Sequence, residues 1–374
     1  MHPQPVHPVR RLLRAPRAGS FAKPLVAALL LGLVPSLDAQ ENYAQWTGHS
    51  RIWLNTQGNG AGVAQDVTGF PVLVRLTTAQ ATVFAQARAN GADIRFTRTE
   101  TTGRLPHQIE RWDTAAKAAE IWVRVDTVRG NNGDQSIWMH WGKADAADSS
   151  SGPQVFRTTD GFQAVYHLNQ PAAALALDAT PNALHATPTS VTEAPGVIGP
   201  AKGFDGAASF YEVIGSELGA LDFAPGGSYT VSAWVNVTTA NSGTHYEIVS
   251  KHDRQYALKI HNSGNFEFFE FNPTTFWNGV RSPVETGNWK LLTGVAQGGQ
   301  LRLYVDGALA SADIVQAGTS GASGAGLTNL SIGKRGDNST RFFNGLIDEV
   351  TLAGTARPDA WIRLAYQNQR AAQT

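Results

Sequence analysis

Hydrolytic chemistry on a strand-rich chain needs carboxylates in pairs. Cleaving a glycosidic bond with retention takes two carboxyl groups about 5–5.5 Å apart, and with inversion about 6.5–9.5 Å. On one strand such a pair reads as E-x-D or E-x-E, because alternate side chains share a face. The nearest approach is "FEFFEF" (Phe266–Phe271), where Glu267 and Glu270 stand three apart and so point to opposite faces. "IDEV" (Ile347–Val350) has Asp348 and Glu349 adjacent, again on opposite faces of a regular strand. "SKHD" (Ser250–Asp253) carries the residue types of a nucleophile relay, but neighbours on one extended strand cannot form its hydrogen bonds. In "LRLYVDGALAS" (Leu301–Ser311), Asp306-Gly307 supplies the two positive-φ residues of a type I′ turn, so this carboxylate marks a hairpin bend. G-x-S-x-G, H-E-x-x-H and P-loop patterns are absent, and with no cysteine there is no thiol nucleophile. No catalytic residue is assigned.

Binding chemistry has better candidates. A sugar ring offers apolar C–H patches beside hydroxyls, so it favours a flat aromatic face flanked by hydrogen-bonding groups. "NPTTFWNGVR" (Asn272–Arg281) presents Phe276 and Trp277 between turn residues, either as a contact platform or as a lid on the core. "HYEIVSKHDR" (His245–Arg254) would bring Tyr246, Lys251, His252 and Arg254 to one rim, although such histidines are commonly plain surface residues. The RGD tripeptide Arg335–Asp337 reads as a turn.

The elements that must hold these residues are short strands. Runs such as "FPVLVRL" (Phe70–Leu76), "EIWVRVDTV" (Glu120–Val128), "YTVSAWVNV" (Tyr229–Val237) and "WKLLTGVA" (Trp289–Ala296) alternate with Gly/Asn/Asp/Pro clusters nearly to the end. In "IWVRV", Ile121, Val123 and Val125 share one face. Only Thr78–Asn90 in this first block reads as a short helix. A small, polar, proline-terminated stretch, Lys143–Gln154, reads as a linker. Before residue 40, five basic residues and an apolar run (Leu25–Val34) too short to span a bilayer look like an export signal cleaved near Ala39. Setting aside those five bases and Asp38 leaves 25 basic and 29 acidic residues, a net charge of −4. A mildly acidic chain is poorly suited to nucleic acid, and no later stretch is apolar enough to cross a bilayer.

"KGFDGAASFYEV", "YTVSAWVNV", "IVSKHD", "LRLYVDGAL" and "FNGLIDEVTLAG", in that order, resemble the laminin-G-like, concanavalin-A-like jelly-roll superfamily over residues 155–356. The resemblance implies two curved antiparallel sheets, carbohydrate binding in many members and a structural Ca2+ in some. It makes Asp178, in the loop after the first strand, and Asp348, in the closing strand, candidate metal ligands, with turn capping and backbone bonding as the alternatives. The earlier motifs "DVTGFPVLVRL", "GADIRF", "LPHQIERWD", "AEIWVRV" and "WMHWGK" resemble an uncharacterised bacterial extracytoplasmic domain, also found in ExbB/TolQ-type biopolymer-transport proteins. "ARPDAWIRLAYQNQ" (Ala356–Gln369) resembles the closing helix of such chains, begun by Pro358 with Trp361, Leu364 and Ala365 as its apolar stripe.

The expectation is therefore an all-β protein. It comprises a signal peptide (1–39), a β-sandwich-like domain (40–142), a linker (143–154) and a laminin-G-like jelly roll with a short C-terminal helix (155–374). Its expected role is secreted or periplasmic, non-catalytic recognition of a glycan or envelope polymer. The alternatives are a structural or adhesion component with an envelope protein partner, and a glycoside hydrolase.

Overall fold

Among the described residues, four antiparallel sheets account for the strands. The computed structural model describes residues 41–372 apart from 217–218, 224–225, 242, 253–254, 273–275 and 315–327, and omits the side chains of 272, 276–278 and 312–314. The leader expected before residue 40 lies outside the described residues.

The first module pairs a four-stranded sheet with a three-stranded one. Gly48–Leu54, Gln135–Trp141, Arg95–Thr97 and Arg104–Leu105 lie side by side in the first; Val67–Leu76, Ala118–Val128 and His107–Asp113 form the second. Ile121, Val123 and Val125 are buried, as the alternation requires, but so are Trp122 and Arg124 on the other face. The strand is covered on both sides. The expected helix is real but broken: a 3-10 turn at Thr78–Gln80 leads into Ala81–Gln86, and a second 3-10 turn holds Asn90 at φ 59°.

The jelly roll follows. Its eight-stranded sheet runs Thr192–Pro195, Pro200–Asp205, Asn344–Ala353, Tyr229–Val237, Trp289–Gln297, Gln300–Val305, Ala308–Ile314, with Phe162–Tyr166 also paired to Asn344–Ala353. Its seven-stranded sheet runs Phe276–Pro283, Asn265–Asn272, Tyr256–His261, Tyr246–Ser250, Leu330–Ile332, Phe210–Val213, Thr187–Thr189. One apolar core fills the space between them, from Tyr166 and Tyr211 to Leu301 and Leu352. The hairpin bend forms as expected: Asp306 and Gly307 have φ of 53° and 76°, and Val305 pairs with Ala308. Asp306 also accepts from the Leu291 N–H at 3.0 Å.

The closing helix, Asp359–Gln369, joins the two modules. Its Ile362 packs with Val295 and Tyr304 on the outer face of the eight-stranded sheet. Trp361 and Leu364 belong instead to the core of the first module, with Phe70, Phe162 and Val165. Arg75, from the first module, donates to the carbonyls of Gln369 at 2.6 Å, Arg370 at 3.2 Å and Val197 at 3.1 Å. A helix leaves its last carbonyls without internal partners, so Arg75 acts as their cap. The described residues of Asn42–Thr374 thus form one compact unit. The stretch 143–154 is part of it: Ser151 N–H donates to the His107 carbonyl and the Ser150 hydroxyl accepts from Ile109 N–H.

Trp361 meets Phe70 edge-on at 4.9 Å and lies under the Arg357 guanidinium at 3.8 Å. Trp361→Ala is expected to lower unfolding free energy by about 3–5 kcal/mol in a urea titration. A loss below about 1 kcal/mol would show that the helix is not a structural joint.

Candidate functional site

The two outer faces of the jelly roll have different fates. That of the eight-stranded sheet carries the closing helix: Trp234 donates its indole N–H to Gln369 at 2.8 Å and lies 5.9 Å from the ring of Tyr366. That of the seven-stranded sheet carries a polar and aromatic array. Across four neighbouring strands, Glu247 pairs in register with Lys259, Lys259 with Glu267, and Glu267 with Arg281. Glu267 bonds Arg281 at 2.7 Å and lies 3.4 Å from Lys259, while Glu247 accepts from Arg341 at 3.1 Å. His245 and His261 stand edge to face at 4.9 Å beside Glu267. Burial depresses both imidazole pKa values, that of His245 to about 4. Phe269 and Phe271 form an apolar patch with Ala257 on the same face, with the Lys259 ammonium 4.3 Å above the Phe269 ring.

The expected ligand residues divide. Phe276 and Trp277 fall on an edge strand, not in a loop; the backbone register sets Trp277 opposite Phe271 and Phe276 opposite Asn272. Tyr246 belongs to the jelly-roll core. Lys251 is fully buried, with its ammonium on the Ser216 carbonyl. His252 is also buried and lies 3.5 Å from Asp337 of the RGD turn, where Arg335 pairs with Asp337 at 2.7 Å. These three therefore do not form an open rim, because the strand end that carries them turns into the interior. Arg254 lies outside the described residues.

Glu267 and Glu270 point apart as expected: Glu270 is on the core side and accepts from the Gly226 N–H at 3.3 Å. Glu247, two strands away, shares a face with Glu267 instead. A search along single strands could not find that pair.

Asp348 and Glu349 correct another expectation. They do not point to opposite faces, because a bulge interrupts the strand between the pairs Ser232–Thr351 and Trp234–Asp348, with Glu349 at φ 51°. One extra residue cancels the alternation, and both acids leave the core face. On that edge of the strand Pro200–Asp205 pairs only as far as Ile347 and Phe162–Tyr166 only from Val350, so the two acids sit in the gap. There they meet Glu110 of the first module and His167. His167 Nδ1 is 2.9 Å from Glu349 Oε2 and 3.5 Å from Glu110 Oε2; all three side chains are at most 4% exposed. Burial, reinforced by each carboxylate's acidic neighbours, holds the Glu110 and Glu349 pKa values well above the ordinary range, and burial raises that of Asp348 to about 7. Glu110 and Glu349 bring carboxylate oxygens within 4.8 Å of each other, closer than a retaining glycosidase pair, and the site is enclosed.

Calcium does not fit Asp178. Oδ1 accepts from the Val165 and Thr180 N–H groups, and Oδ2 from the Thr180 hydroxyl and Leu184 N–H, all between 2.9 and 3.0 Å. Four hydrogen bonds use the lone pairs of a carboxylate, so Asp178 is a turn organiser. Asp348 spends Oδ2 on the Val197 and Ile198 N–H groups at 2.8 and 3.0 Å, and its neighbours include an imidazole, a donor that calcium does not favour.

A cavity of about 540 Å3 lies between the sheets of the first module, walled by Val72, Val74, Met139 and Trp141 and bordered by Leu364 and Asn368 of the closing helix.

Residues 214–363 match the family model described as the concanavalin A-like lectin/glucanases superfamily, and residues 90–169 that of a domain of unknown function (DUF2341). Among solved structures, the binding domain of Paraclostridial Mosquitocidal Protein 1 is 14% identical with a TM-score of 0.46, over 56% of this chain and 53% of that one. Domain 4 of AbnA, a GH43 extracellular arabinanase from Geobacillus stearothermophilus in complex with arabinotriose, is 20% identical with a TM-score of 0.41, over 55% of this chain and 98% of that one. The receptor binding domain of botulinum neurotoxin mosaic serotype C/D is 14% identical with a TM-score of 0.41, over 56% and 51%. This chain thus covers about half the length of the first and third of these. No curated protein matches it.

A second buried histidine shows what His167 would be without partners. His107 packs against Phe96 at 5.6 Å, and neither ring nitrogen has a hydrogen-bond partner. Burial, helped by Arg95 and Arg104, depresses its pKa to about 3. The unfolded chain takes up this proton near pH 6.5 and the folded chain does not, so the contribution is unfavourable below pH 6.5 and grows as the pH falls toward 3. Between pH 6.5 and 5 the loss is about 2 kcal/mol. His107→Phe is expected to remove that loss, narrowing the stability gap between the two pH values relative to wild type; an unchanged gap would refute a neutral buried His107.

Proposed function

Since the C-terminal part of the chain is a concanavalin A-like jelly roll preceded by a domain of unknown function, we propose that it is an exported, non-catalytic binding protein that recognises carbohydrate on the outer face of the seven-stranded sheet. One observation carries this reading: the other outer face is given over to the closing helix and the first module, while this one sets the partly exposed Arg281 and His261 at the margin of a buried set, Lys259, Glu267, Phe269 and Phe271, next to the strand of Trp277. Charged hydrogen-bonding groups alternating with aromatic rings suit a ligand that is polar at its rim and apolar across its ring face. Glu247 and Glu267 are each bonded to cations, Arg341 for the first and Lys259 and Arg281 for the second, which supports a binding face over a hydrolytic one.

A glycan array probed with wild type, Trp277→Ala and Glu267→Gln tests it. The wild type is expected to give discrete polysaccharide signals, and Trp277→Ala to weaken them about tenfold or more, the effect of losing a central aromatic contact. Absence of any signal from folded wild type would reject carbohydrate recognition. Polysaccharide turnover that disappears in Glu267→Gln or Glu247→Gln would reject the non-catalytic assignment.

A further inference from the structure

The buried cluster between the modules has a chemistry that hydrogen bonding alone leaves incomplete. Glu110 Oε2 accepts from the Trp122 indole N–H at 2.7 Å, but Glu110 Oε1 has no hydrogen-bond partner, and neither has Asp348 Oδ1. Among the described residues, the only ion-pair partner of Glu110 and Glu349 is His167. A buried carboxylate without a counter-charge is costly, and here two face one imidazole.

The imidazole is oriented for more than a salt bridge. His167 is stacked on Trp122 at 5.8 Å, and its Nε2 lies 3.3 Å from the Gln108 side-chain oxygen. An Nε2–H donated to Gln108 leaves the Nδ1 lone pair facing both carboxylates, the arrangement that a second-sphere acceptor imposes on a metal-binding histidine. Glu110 is oriented likewise by Trp122. Gly199 lies against Glu110, where a Cβ would come within 3.2 Å of Oε1, and a Cβ at Gly196 would come within 2.5 Å of Asp348 Oδ2.

The geometry points to a divalent metal site: we propose that Glu110 Oε2, His167 Nδ1 and a Glu349 oxygen bind one ion of the zinc type where the first module meets the jelly roll. The donor atoms of a tetrahedral ion with bonds of about 2.0–2.1 Å stand roughly 3.3 Å apart. Here His167 Nδ1 is 2.9 Å from one carboxylate and 3.5 Å from the other, and all three ligand atoms lie within 4.8 Å of one another. One nitrogen with two carboxylates selects a borderline ion over calcium. Two carboxylates, a neutral imidazole and a doubly charged cation also sum to zero charge. Beside one of the three ligands, Glu349, lies a cavity of about 60 Å3 that Trp122, Ser232, Thr293 and Thr351 also line, and a water takes about 30 Å3 of liquid. The ion would clamp the first module to the jelly roll, and its ligands come from both.

The test uses the full chain without a polyhistidine tag, stripped with chelator and then equilibrated with zinc or cobalt. Wild type is expected to retain roughly one zinc per chain after gel filtration, to gain roughly 5 °C or more in Tm, and to show visible cobalt absorption from a nitrogen–oxygen site. Glu349→Gln and His167→Gln, both close in shape to the native residues, are expected to lower affinity about 100-fold, and His167→Gln to shift the cobalt bands. His261→Gln, in the other histidine–carboxylate group, is expected to change none of these. The proposal fails if folded wild type holds less than about 0.1 ion per chain without a change in Tm. It fails equally if His261→Gln abolishes binding while Glu349→Gln leaves it intact.

Discussion

The outer face of the eight-stranded sheet cannot be left in water. Trp234, Val295, Tyr304 and the neighbouring Phe162 and Val165 present more apolar surface than a solvated sheet face carries. The closing helix and the first module cover it, and most of the architecture follows from that cover. Trp361 and Leu364 complete the core of the first module, which therefore includes side chains from the far end of the chain. Arg75 and Asn368 then tie the helix to the strand Val67–Leu76 through backbone groups on both sides.

The cover also dictates where charge is trapped. Without it, the acids of the bulge would face solvent and need no partner. With it, Glu349 and Asp348 are enclosed with Glu110, and the same joint that buries hydrocarbon must accommodate carboxylates. The bidentate pair of Arg124 with Asp160, at 2.6 and 3.0 Å, shows how the joint resolves this where a guanidinium is available. At the Glu110 cluster an imidazole occupies that position instead. The opposite sheet keeps its own charged row, matched within itself from Glu247 to Arg281.

Much of the fold was legible in the sequence. Alternating runs such as Ile121, Val123 and Val125 marked strands, Asp306-Gly307 marked its hairpin, and five ordered motifs marked the jelly roll. The site was far less legible. A bulge at Glu349 depends on strand partners that stop short on either side, and nothing in "IDEV" encodes it. Glu110 sits in a run, "HQIERW", that reads as an ordinary half-polar strand, and only the fold brings it to His167. Tyr246, Lys251 and His252 looked like a rim because they are polar and clustered, yet the core and the Ser216 carbonyl claim two of them. The pairing of Glu247 with Glu267 across Lys259 needs a register, which a single strand cannot supply.

The helix cap made by Arg75 has a consequence for how the molecule comes into being. Synthesis proceeds from the amino end, so the strand bearing Arg75 exists long before the carbonyls of Gln369 and Arg370 that it holds. Until the last segment arrives, the first module lacks Trp361 and Leu364 from its interior and carries an unfilled apolar seam. Contacts so distant along the chain form late and slow folding. During that interval the nascent polypeptide would be vulnerable to aggregation and a natural client for chaperones.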